Sequence, residues 1–202
     1  MWRKSATSSA RRAWKSTSLG GHDLLSPRRF GHTIKEHHLE VPWDYSNPHG
    51  TFGLYAREII PPGGEGLPAL LYLQGGPGFP APRPLAPTGL IGKALERYRV
   101  ILMDQRGTGR STRIDAATPS LIDAKVLTQL RADEIVADAE ALREEMGLKR
   151  WDVLGQSFGG FCLMHYLAAH PEGVEQRRNI RMRGRTVTAV DDEVLAGEGL
   201  DA

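Results

Sequence analysis

The chain has 202 residues, with 40% hydrophobic and 25% charged side chains, a composition that suits one globular domain. Lys plus Arg number 26 against 24 Asp plus Glu, a formal charge of +2, so neither nucleic acid nor a membrane surface is indicated as a partner. The single cysteine, Cys162, excludes an intrachain disulfide and a cysteine-based metal site, and no apolar run approaches the roughly 20 residues needed to span a bilayer.

Residues 1–22 are basic, with Arg3, Lys4, Arg11, Arg12 and Lys15, and the first acidic residue is Asp23. This is the composition of a solvated, disordered tail, assigned to residues 1–33; a transit peptide would share it. No apolar stretch follows, so a secretory signal is not indicated. The segment Thr51 to Ile60 then reads as a strand after the turn residues Asn47, Pro48 and Gly50. Ala69 to Leu73 is continuously apolar, as a strand buried on both faces should be. A Gly/Pro loop fills residues 74–87. Gly89 to Arg97 suits a short helix, and Arg99 to Met103 a further buried strand. From Leu127 to Met146 the apolar residues recur at helical spacing until Gly147. Trp151 to Leu154 is a short strand, and Phe158 to His170 is helical until Pro171. Alternating strands and helices imply an α/β sheet, with the later strands parallel.

After Gly173 the pattern is lost. Arg177, Arg178, Arg181, Arg183 and Arg185 crowd together, and Asp191, Asp192, Glu193, Glu198 and Asp201 follow with no periodic face. Thr186–Val190 could pair as a strand. The domain is therefore expected to occupy residues 34–173, with an atypical charged tail over 174–202.

The strongest motif is Gly155-Gln156-Ser157-Phe158-Gly159, with Gly160 behind it. A serine on a sharp strand-to-helix turn is pushed clear of the sheet, and small neighbours let the chain turn that tightly. The N–H of Phe158 can then help hold an oxyanion. Val153-Leu154 supplies the strand end, and Phe161 to Ala169 the helix. The bland alternative is a Gly-rich turn without chemistry. Leu73-Gln74-Gly75-Gly76-Pro77-Gly78 is a bare loop after a buried strand, where a backbone N–H can approach a substrate oxygen; taken by itself it reads rather as an ordinary Gly/Pro turn. In Asp104-Gln105-Arg106-Gly107-Thr108-Gly109-Arg110-Ser111 the acid and the arginines are expected to brace each other.

Together, LLYLQGGPG, VILMDQRGTGRST, LRADEIVADAEALRE and WDVLGQSFGGFCLMHYLAAHPEG resemble the prolyl aminopeptidase (proline iminopeptidase) family of α/β-hydrolases. The resemblance covers about residues 35–173. It implies a serine aminopeptidase that releases N-terminal proline, or a related residue, from a peptide substrate through an acyl-enzyme, with no metal or other cofactor. It assigns the nucleophile to Ser157, the oxyanion N–H groups to Gly76 and Phe158, and the elbow to Gly155 and Gly159. Gln74 stands where many relatives have histidine. A cytoplasmic location is expected, and the oligomeric state is open.

One departure matters. In this fold the triad runs serine, then Asp or Glu, then histidine. No histidine follows His170. His165 lies eight residues beyond Ser157, roughly 12 Å along a helix and directed away from it. His22, His32, His37, His38 and His49 precede the elbow, and all seven histidines read as ordinary surface or core residues. The expectation is an α/β-hydrolase fold truncated before the cap domain and the acid and histidine strands. The alternative to an active aminopeptidase is then a non-catalytic fragment. A shift of reading frame near codon 173 would account for the charged tail; a genuine short protein whose basic tail binds an acidic partner is the rival. Either leaves an unfinished sheet edge after strand 151–154 and a poorly soluble chain.

Overall fold

The computed structural model describes residues 28–29, 31–84, 86 and 88–180. Its strands form one mixed sheet: β1 (Arg28–Arg29), β2 (His32–Pro42), β3 (Thr51–Ile60), β4 (Ala69–Leu73), β5 (Arg99–Asp104), β6 (Trp151–Gln156) and β7 (Val174–Ile180). The order across the sheet is β1-β2-β3-β5-β4-β6-β7. β1, β2, β3 and β5 pair antiparallel, whereas β5, β4, β6 and β7 run parallel. The helices are α1 (Gly89–Leu95), α2 (Ala124–Leu127), α3 (Ala132–Glu145) and α4 (Phe158–Ala169).

The two-residue side-chain period of the strands sorts the core into two layers. Leu71 and Leu73 of β4, Ile101 and Met103 of β5 and Trp151 and Val153 of β6 face α3 and α4. Leu70 and Tyr72, Val100 and Leu102, and Leu154 face α1. Because the central strands carry apolar residues on both faces, their sequences are unbroken apolar runs. Where they end at their carboxyl edge, the loops must turn outward, and the candidate site is assembled there.

The strands at 51–60 and 69–73 stand where their patterns place them, and the others differ in detail. β2 is not marked by its sequence, since HTIKEHHLEVP buries Leu39 and Val41 in its second half and, apart from Ile34, is polar before them. The helix expected from Leu127 begins at Ala132. Asp123 instead starts the short α2 by accepting from the Lys125 N–H at 2.7 Å, and Leu127 is left exposed. α3 then starts afresh with Asp133 and Glu134 in its first turn, where the helix dipole favours acids. Beyond Gly173, β7 pairs with β6 from Trp151 through Gln156, so β6 is not the sheet edge and the sheet runs past residue 173. At the other end β2 begins at His32, inside the segment expected as tail. Thr186–Val190 and the rest of 181–202, like residues 1–27, lie outside the described residues.

Candidate active site

Ser157 joins β6 to α4 with φ 53 and ψ −116, and among the described residues no other non-glycine has positive φ. Such a backbone costs on the order of 1–3 kcal/mol and persists where its surroundings enforce it. Two glycines do so by close approach. A Cβ on Gly155 would meet the Gly159 carbonyl oxygen at 2.4 Å, and a Cβ on Gly159 would meet the Leu73 carbonyl oxygen at 1.9 Å. Ser157 itself is exposed, and its hydroxyl makes no capping bond to α4.

The loop after β4 lies beside this elbow because β4 and β6 are parallel neighbours, with Leu73 opposite Gly155. A Cβ on Gly75 would sit 2.8 Å from the Gln156 carbonyl oxygen and 3.1 Å from the Ser157 Cβ. Gly75 thus makes the contact with the elbow. Gly76 follows it, exposed and with φ +132, one Cα step of about 3.8 Å further on. Phe158 opens α4, and its N–H belongs to the unpaired donors of a helix N-terminus. The glycine loop and the head of α4 thus flank Ser157.

Two side chains hold this arrangement that the motifs alone do not single out. Gln105 is buried and donates through Nε2 to the Gln74 carbonyl at 3.0 Å, tying the glycine loop to the loop after β5. Tyr72 donates to Gln156 Oε1, beside the serine. Both signals lie in the sequence, in the DQRG run and the second position of the elbow, but neither is readable without the fold.

The charged residues of the third motif are held in internal contacts. Asp104 is fully buried and accepts from the Ala81 N–H at 2.9 Å, the Arg110 N–H at 2.8 Å and the Arg83 guanidinium. Arg106 makes a two-point pair with Asp138 of α3, Nε to Oδ2 at 2.8 Å and Nη2 to Oδ1 at 2.7 Å, and donates to the Trp43 carbonyl at 2.7 Å. These bonds tie the loop after β5 to its neighbours and leave Asp104 and Arg106 buried.

The histidines are engaged elsewhere. His165 stands on the exposed side of α4 with its ring edge-on to Phe161 at 4.6 Å. His170 ends α4, with its ring 5.8 Å from that of Tyr166 and Nδ1 3.8 Å from Glu172. His37 bonds Glu58 at 3.1 Å, and the His38 ring packs edge-on to Tyr55. His32 lies in β2, His49 is exposed in the turn before β3, and His22 is outside the described residues. The ligand atoms of Glu140, His170 and Glu172 fall within 4.8 Å of one another, but both Glu140 oxygens already accept from Arg143, whose cation disfavours a metal there. Cys162 is on the buried side of α4, and burial pushes its thiol up to about 12, so it is no rival to the serine. No helix among the described residues is long and apolar enough to cross a membrane.

A sequence model described as the alpha/beta hydrolase fold matches residues 68–176. The chain is 45% identical over 149 residues to a proline iminopeptidase of Aeromonas sobria, an alignment that covers 69% of this chain and 35% of that protein. It is 38% identical over 154 residues to a proline iminopeptidase of Aspergillus aculeatus, covering 69% and 34%. It spans about a third of the length of these curated relatives. Among solved structures, the 2-hydroxy-6-oxo-6-phenylhexa-2,4-dienoate hydrolase of a Rhodococcus species has the same fold, with TM-score 0.50 at 21% identity over 73% of this chain and 46% of that one.

Proposed function

Because the chain belongs to the alpha/beta hydrolase fold family, we propose that it carries the nucleophile and oxyanion side of a prolyl aminopeptidase-type serine hydrolase. Ser157 Oγ attacks the carbonyl of an N-terminal prolyl residue. The N–H groups of Gly76 and Phe158 receive the charge that develops on the carbonyl oxygen, and the peptide amine leaves. Water then releases the acyl group. That the two relatives are proline iminopeptidases supports this substrate class. The carrying observation is the left-handed backbone of Ser157 at the head of α4, pressed against Gly75.

The proton of Ser157 needs an acceptor, and His37, His165 and His170 are engaged with other partners. Without a base the hydroxyl is a weak nucleophile. The second reading follows: this 202-residue chain by itself does not turn over prolyl substrates. Release of p-nitroaniline from prolyl p-nitroanilide should be no faster with the wild-type chain than with Ser157→Ala. Turnover that Ser157→Ala abolishes would reject that reading and require one of the chain's own histidines as base.

A further inference from the structure

Gln105 is buried, and its side chain bonds to one backbone carbonyl of the glycine loop, that of Gln74, at 3.0 Å. Strand order gives that bond a direction. β5 and β6 flank β4, so the loop after β4 runs between Gln105, which follows β5, and Ser157, which follows β6. The Gln74 carbonyl is therefore drawn to the β5 side, away from the serine. The Gln74–Gly75 peptide is trans, since the cis bond among the described residues is Gly76–Pro77. In a planar trans peptide the C=O and the N–H point in opposite directions. The Gly75 N–H is thus turned to the β6 side, where Gly75 lies against Gln156 and Ser157.

Local backbone sterics do not hold this plane. A half-turn of the peptide changes ψ of Gln74 and φ of Gly75, and a glycine accepts either sign of φ. The turned peptide would aim a carbonyl oxygen at the serine side, the negative end of a dipole where negative charge develops. Gln105, by contrast, is itself anchored. Its carbonyl accepts from the Thr108 N–H at 3.0 Å and from the Thr108 hydroxyl at 2.7 Å. Its neighbours are committed elsewhere, Asp104 to Arg83 and Arg106 to Asp138.

We infer that Gln105 is a positioning residue whose amide fixes the Gln74–Gly75 peptide with its N–H toward Ser157 and its carbonyl away, so that the oxyanion formed on attack by the serine meets a donor and not an acceptor. The inference rests on the reading of Ser157 as nucleophile given above.

The test follows phosphonylation of Ser157 by a small alkyl fluorophosphonate in imidazole buffer, using intact-protein mass spectrometry. The serine Oγ bonds to phosphorus, fluoride leaves, and the serine proton passes to imidazole. Each variant is compared with the wild type at the same pH, over the range where its circular dichroism matches the wild type. Gln105→Met keeps the volume and loses the donor, and it should label roughly tenfold more slowly at every pH. Gln105→Glu should be as slow at about pH 8, where a carboxylate faces the Gln74 carbonyl, and should return to within about threefold of wild type at about pH 5, where the protonated carboxyl donates to it. A merely structural loss would not recover on acidification. A further measurement needs no variant. Gln74–Gly75 is the single Gln–Gly pair of the sequence, so isotope labelling of the glutamine carbonyl carbon and the glycine nitrogen leaves one coupled NMR peak. Its amide proton should shift when Ser157 of the wild type is phosphonylated. A Gln105→Met chain that labels at the wild-type rate, a Gln105→Glu ratio that is flat with pH, or a stationary peak overturns the inference and leaves Ser157 as nucleophile. Failure of the underlying reading looks different: the wild type forms no adduct at Ser157 even with imidazole. In that case the inference falls with it.

Discussion

Gly159 in α4 lies against Leu73 in β4 so closely that a Cβ on the glycine would meet the Leu73 carbonyl oxygen at 1.9 Å. The helix carrying the elbow is thus seated directly on the strand carrying the glycine loop, and both halves of the candidate site share one contact. Backbone cannot yield there as a flexible side chain could. Gly159→Ala should cost about 3 kcal/mol or more, against about 0.5 kcal/mol or less for Gly66→Ala, where nothing lies within 4 Å. Urea unfolding of the two variants measures the difference; equal midpoints would mean that the helix can lift off β4 freely.

The Arg106–Asp138 pair ties the loop after β5 to α3, and both side chains are fully buried. Removing one partner leaves an uncompensated charge. Asp138→Ala should therefore destabilise by about 3–5 kcal/mol, and the double variant Arg106→Met/Asp138→Leu by less than the single one. A single variant within about 1 kcal/mol of wild type would show that water reaches Arg106.

Glu140 of α3 accepts from Tyr166 Oη at 2.5 Å and from Arg143 Nε at 3.0 Å, and the Trp151 indole donates to the same Tyr166 oxygen at 3.2 Å. Burial pushes the Glu140 carboxyl up, but the bonds from Arg143 and Tyr166 outweigh it and hold the group below its usual 4.5. A carboxylate lowered in the folded state contributes stability above the unfolded value, and that contribution is lost as pH falls through the folded one. Stability should decline as pH drops below about 4.5, and Glu140→Gln should show a shallower decline. Parallel acid limbs for the two proteins would remove Glu140 from the acid response.

Cys162 is the single thiol of the chain, buried and raised by that burial to about 12. It should resist a thiol reagent in the native protein and react at the rate of global unfolding. Fast reaction in native buffer would show that α4 opens locally.

Legibility followed burial. β4 and β5 are apolar on both faces, so composition alone marks them. β2 hides because its first half exposes Lys35, Glu36 and His38, and β7 because Glu175 and Arg177 belong to a strand at the sheet's margin. The elbow could be read because its glycines answer a steric demand that is local in sequence. Gly75 and Gln105 could not, since each matters through a contact across space: Gly75 with Ser157, Gln105 with Gln74. The break between α2 and α3 was hidden by Leu127 and Leu130, which continue the helical spacing although Leu127 faces solvent.

The direct test of Ser157 as nucleophile is intact-protein and peptide mass spectrometry after exposure to a small alkyl fluorophosphonate, with and without added imidazole. Attack by Ser157 Oγ on phosphorus expels fluoride and leaves a stable adduct. A strained, exposed serine that lacks a base should form one adduct, mapped to Ser157, slowly alone and faster with imidazole. Ser157→Ala should form none. An adduct that persists in Ser157→Ala, or no adduct at Ser157 even with imidazole, would contradict the assignment of this serine as the reacting group.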